Sequence, residues 1–116
     1  MSFATPRGEG FTRRYETGRA VLHMNLAGIS HEDSLFVPLG GGNPMVWVVG
    51  HLVDSRSELL NMLGRERIWG QEMRDLFMRG TDGTATVEFP QLDELKARFE
   101  ETHELLLAAF REGADE

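Results

Sequence analysis

The chain has 116 residues, 41% of them hydrophobic, with no cysteine and a formal net charge of −7 from 19 acidic and 12 basic side chains. That length bounds it to one domain able to bury roughly two-thirds of its unfolded surface. The missing cysteines exclude disulfides, thiolate metal sites and cysteine nucleophiles, and the acidic balance with scattered Lys and Arg excludes a general nucleic-acid backbone binder.

Met1-Ser2-Phe3-Ala4-Thr5-Pro6 lacks the basic-then-apolar layout of a secretory signal. No apolar run approaches the length of a membrane span. A soluble, cytoplasmic protein without a membrane partner is the expectation. Residues 1–12, with Pro6, Gly8 and Gly10, read as a flexible lead-in, residues 13–112 as one helical domain, and 113–116 as a tail. From Arg13 onward Tyr15, Leu22, Leu26 and Ile29 recur on one helical stripe, and Gly28 suits the stop. Ser30-His31-Glu32-Asp33 reads as an N-cap and acidic first turn, a single helical turn reaching Leu35.

Pro38 and Gly40-Gly41-Gly42 make a connector. A glycine run before a helix can also cradle an anion, but no Lys, Ser or Thr follows as in a phosphate loop. Asn43 as N-cap and Pro44 as first helical residue open a second long helix that runs to Leu63 and stops at Gly64. Its first half, Met45 to Val53, is apolar on every side, and such a helix must be covered on every side. Two partner helices do not enclose it, so a second copy of the chain is expected to complete the bundle, with Trp47, Val53 or Leu60 at or near the contact.

Ile68, Trp69, Met73, Leu76, Phe77 and Met78 predict a short irregular helix lying across the bundle. Gly80, Asp82 and Gly83 predict a loop, and Thr84 to Phe89 an extended segment. Pro90 opens a third long helix on the stripe Leu92, Leu95, Phe99, Leu106 and Phe110, with Gly113 as its end. Three long helices make the fold all-α, an up-down helical bundle.

The run Asn43-Pro44-Met45-Val46-Trp47-Val48-Val49-Gly50-His51-Leu52, continued by Arg67-Ile68-Trp69 and Phe77-Met78-Arg79-Gly80, resembles the DinB-like superfamily over about residues 13–112. That superfamily includes YfiT-like hydrolase-type proteins and mycothiol-dependent maleylpyruvate isomerases. The resemblance implies a four-helix bundle, often dimeric, with zinc or nickel on three histidines. It also implies thiol-dependent transferase or isomerase activity on a small molecule. Residue His51 matches the family's Gly-His-Leu ligand. The other two ligands form a His-x-x-x-His pair on a fourth helix, and no His-x-x-x-His occurs here.

His51 is therefore the leading metal-ligand candidate. It shares a helical face with Val48, Leu52, Ser55 and Leu59, which points its ring toward the bundle interior, and Asp54 and Glu58 stand at i+3 and i+7 as helpers. The bland reading is an interior histidine hydrogen-bonded to a neighbour. Glu100 and His103 form Glu-x-x-His, the spacing used twice in di-metal carboxylate bundles, against which stands a boundary histidine on an acidic face. His23, His51 and His103 give one histidine per long helix, enough for a three-imidazole zinc site if they converge. His31 reads as a loop surface residue. Trp47 and Trp69 read as core or interface anchors, and Met24, Met45, Met62, Met73 and Met78 as gap-fillers that could instead line a pocket. Three functions follow: a divalent-metal-dependent thiol transferase or hydrolase-type enzyme, a non-catalytic dimerisation or binding module with a degenerate metal site, or a dimeric di-metal carboxylate protein.

Overall fold

A computed structural model describes residues 6–37, 40–78 and 88–114, with the side chains of 6–9 and 113–114 excepted. Among these residues there are five helices and no strand: α1 (Pro6–Leu26), α2 (His31–Ser34), α3 (Met45–Met62), α4 (Gln71–Phe77) and α5 (Leu92–Ala114). The all-α expectation with three long helices holds. The loop expected at Gly80 to Gly83 and most of the extended segment expected at Thr84 to Phe89 lie outside the described residues.

The helix ends follow from local chemistry. Helix α1 starts at Pro6, where a fixed φ suits a first helical position, so helical backbone extends into the segment read as a lead-in. Gly28 takes the left-handed conformation after α1, φ 77°. Ser30 caps α2 as expected, and Asp33 completes a reciprocal capping box that the sequence reading did not include. Helix α3 differs by one residue from expectation. Pro44, not Asn43, is its N-cap, and the Pro44 carbonyl accepts from the Trp47 and Val48 amides. At its far end Gly64 (φ 83°) donates to Asn61 and Arg65 to Leu60, the paired 5→2 and 6→1 bonds of a Schellman stop. Helix α5 begins two residues after Pro90 and runs through Gly113 rather than ending there.

Side-chain pairs fix the helix directions. Phe11 and Tyr15 meet the Phe110 ring, while Arg19 and His23 reach Glu100, so α1 runs antiparallel to α5. Arg56 meets His103 and Arg65 pairs with Glu112, both 47 positions apart, so α3 and α5 run in the same sense. Parallel neighbours cannot be joined by a tight turn. The chain between them carries α4, which packs on α3.

The core consists of Leu22 and Leu26 of α1, Val46, Val49 and Val53 of α3, Phe77 of α4, Phe89, and Leu92, Leu95 and Phe99 of α5. Fully burying each such side chain contributes roughly 1.5–3 kcal/mol. Trp47, Val53 and Leu60, expected at a contact between copies, are already buried within one chain. The opposite flank of α3, bearing Met45, Val48, Leu52 and Leu59, is only half covered. The expected complete enclosure of Met45 to Val53 is therefore not met by the single chain. Met24 and Met62 are among the most exposed apolar residues, 77% and 79%, so neither fills a gap in the core. His31 is half-buried, not a loop surface residue, and its ring accepts the Leu92 amide at the start of α5.

Candidate functional site

The middle turns of α3 present His51, Asp54, Ser55 and Glu58, and α4 lays Arg74 across them. These five side chains line a shallow cleft of about 370 Å³. It opens on the half-covered flank of α3, so His51 stands at the edge of the bundle rather than inside it. The His51 ring stacks on Trp47 with centroids 4.8 Å apart and planes 6° from parallel. Its Nδ1 lies 2.8 Å from the Phe77 carbonyl. A carbonyl only accepts, so Nδ1 carries a proton, and the neutral ring keeps its lone pair on Nε2. Gly50 makes this contact possible, because a Cβ there would run into the Phe77 ring.

Asp54 is buried, 3% exposed, and accepts from Trp69 Nε1 at 3.1 Å and from Arg74 Nε at 3.3 Å. Glu58 accepts from Arg67 Nε at Oε2, 2.6 Å, and from Arg67 Nη2 at Oε1, 3.2 Å, and Arg74 Nε lies 3.1 Å from that same Oε2. The Arg67 hydrogen bonds hold the Glu58 carboxyl below its ordinary range, against a smaller opposing effect of burial.

A divalent ion held by His51 would need Asp54 and Glu58 as further donors. The Arg74 guanidinium, always protonated, already bridges those two carboxylates. An ion there would meet a fixed positive charge already seated on Asp54 Oδ1 and Glu58 Oε2. These residues do not fit a metal centre. Among the described residues no group of three or more His, Asp or Glu is arranged to hold a metal.

The remaining candidates lie elsewhere. Arg19 Nε and His23 Nε2 each stand 2.7 Å from a Glu100 oxygen. Burial pushes the Glu100 carboxyl up, but hydrogen bonds from Arg19 and His23 outweigh it and leave it below its ordinary range. Beside it Arg56, 8% exposed, is clasped between the Tyr15 ring at 4.7 Å and the Phe99 ring at 4.1 Å, with Nη1 3.5 Å from His103 Nδ1. Arg56 follows His51 by five residues, about 140° round the helix. Glu100 and His103 are thus not brought together with Asp54 and Glu58 in one chain, and His23, His51 and His103 do not converge.

Sequence reasoning missed two arginines. Arg56 had a legible signal, since it falls on the stripe Val49, Val53 and Leu60 that fills the core. Arg74 had none, because its role depends on how α4 crosses α3.

Burial holds His103 below the ordinary histidine range, and the adjacent Arg56 charge adds to this. The folded state keeps this ring neutral, while the unfolded chain protonates it near the reference value of about 6.5. Its contribution to stability is therefore complete above that value and is lost as the pH falls below it. The lowered Glu58 and Glu100 carboxyls act in the same direction at lower pH. Chemical denaturation should give a lower midpoint at pH 5 than at pH 7.5, with a smaller difference in His103→Gln. An equal or larger difference in that variant would contradict the assignment.

A family model described as the DinB superfamily matches residues 14–116. No curated protein and no solved structure matches the chain.

Proposed function

The chain belongs to the DinB superfamily, and from that membership we propose a non-catalytic helical module that binds a second copy of itself, with an arginine in the place of a metal. The supporting observation is Arg74. Its guanidinium meets both carboxylates that a His51-anchored ion would need. The partly exposed flank Met45, Val48, Leu52 and Leu59 supports the assembly half of this reading, since an apolar helix face gains by removal from water.

A second reading keeps the divalent-metal-dependent thiol transferase or hydrolase-type enzyme. It draws on the Phe77 carbonyl, which fixes the His51 tautomer and leaves Nε2 able to ligate. That supplies one donor of the set. The di-metal carboxylate reading draws on less, because Glu100 spends both oxygens on Arg19 and His23.

Protein purified without a histidine tag separates these readings. Elemental analysis is expected to find substoichiometric zinc and nickel in a folded protein, and light scattering at micromolar concentration to find a dimer. A stoichiometric ion lost in His51→Ala would establish the enzyme class instead. A stable monomer would overturn the assembly half.

A further inference from the structure

Helix α5 starts with an unusual partner. The first amides of any helix lack acceptors within it, and Leu92, 1% exposed, cannot turn to water. Its N–H donates instead to Nδ1 of His31, 3.0 Å away and 61 residues earlier in the chain. The direction of this bond is not a matter of tautomer choice, because a backbone amide can only donate. Nδ1 must carry a lone pair, so the His31 ring is neutral with its proton on Nε2.

We infer that His31 is a pH-sensitive latch, whose neutral imidazole ties the α1–α3 connection to the start of α5 and whose protonated form lets go. Protonation places a hydrogen on the only atom that accepts, leaving two donors face to face. It also puts a positive charge at the positive end of the α5 dipole, where cations are disfavoured. The charged residues on the two turns it joins are Glu32 and Asp33 beside it, Asp93, Glu94 and Lys96 at the start of α5, and Glu88 four residues before Leu92. Asp33 is engaged in the capping box and Asp93 lies 4.0 Å from Lys96. The first turn of α3 carries no acidic residue, and the titratable His51 beyond it is held by the Phe77 carbonyl. The latch therefore opens when the ring gains its second proton and Nδ1 stops accepting.

Amide and ring ¹⁵N spectra of the full chain test this. At pH 7.5 His31 should show the Nε2–H tautomer, and the Leu92 amide should be protected from exchange. At pH 5.5, after correction for intrinsic exchange, Leu92 protection should fall roughly five- to tenfold in step with the His31 ring titration, the scale of a lost helix cap. In His31→Asn, Oδ1 stands where Nδ1 stands and does not titrate, so protection should persist at both pH values. In His31→Ala it should be lost at both. An Nδ1–H tautomer at pH 7.5, unchanged Leu92 protection at pH 5.5, or a wild-type pH response in His31→Asn would each overturn the inference.

Discussion

Gly50→Ala is expected to lower the melting temperature by roughly 10 °C, a large response to one methyl group. The added Cβ would fall within the van der Waals envelope of Phe77 Cδ1 and Cε1. The ring has nowhere to retreat, because Phe77 is fully buried and stacks on Trp69 and on Phe89, each at 5.7 Å. Helix α4 must move instead. Overpacking of this kind costs typically about 1–3 kcal/mol and sometimes more, against a helix-propensity gain of about 1 kcal/mol for replacing glycine. Each net kcal/mol lost shifts the melting point of a domain near this size by about 4–8 °C. Movement of α4 would also break the hydrogen bond from His51 to the Phe77 carbonyl. Gly18→Ala is the control. It makes the same chemical change inside α1, where the nearest atom to the new methyl is Arg56 Nη2 at 3.8 Å. That variant should be unchanged or more stable by up to about 1 kcal/mol. Circular dichroism melts of both variants decide the matter; a Gly50→Ala melt at or above the wild-type temperature would mean that α4 does not approach α3 this closely.

Arg56 should give the second large effect, and two substitutions separate its causes. Among the described residues no carboxylate forms an ion pair with this buried guanidinium. Its charge is met by the faces of Tyr15 and Phe99 and by the neutral His103. Burial accordingly pushes its pKa below the ordinary arginine value, with Tyr15 and Glu100 opposing. Arg56→Ala removes both ring contacts and leaves a void where α1, α3 and α5 meet, a loss on the scale of about 2–4 kcal/mol for large-to-small core changes. Arg56→Met fills most of that space without a charge to desolvate, and apolar replacement of a buried ion is often near neutral. Urea denaturation should rank wild type and Arg56→Met close together, with Arg56→Ala well below. Removing the positive charge should also raise the His103 titration midpoint in Arg56→Met, readable by proton NMR. If Met were as damaging as Ala, the guanidinium charge rather than its volume would hold the three helices together.

How much of this was legible depends on whether the cause lay nearby in the chain. The N-cap at Ser30 and the stop at Gly64 are local devices, and the residues that announce them also perform them. The spacing of Leu92, Leu95, Phe99 and Leu106 found the buried face of α5, because one face of that helix meets the rest of the protein. On α3 the same reasoning misjudged the orientation. A run apolar on every side contains no polar face to mark solvent, so the stripe through Val48, His51 and Leu52 could not be told from the one through Val46, Val49 and Val53. The latter is the core and the former is its open edge. His51, Asp54 and Glu58 were brought together correctly by helical periodicity. Their neutralisation was not legible, since Trp69, Arg74 and the Phe77 carbonyl arrive from α4 and the residues just before it, whose placement on α3 no local pattern encodes. His31 is a similar case, with a partner 61 positions away.

The most direct test of the central claim, that Arg74 supplies the positive charge a metal would otherwise supply, is calorimetric titration of zinc or nickel into tag-free wild type and Arg74→Met. Wild type should show no saturable binding at tens of micromolar ion. Arg74→Met removes the charge that bridges Asp54 and Glu58 beside His51 Nε2, leaving Asp54 its Trp69 bond and Glu58 its Arg67 pair, and should bind about one ion per chain, with the signal abolished by adding His51→Ala. Stoichiometric binding by wild type, or no gain in Arg74→Met, would contradict the account.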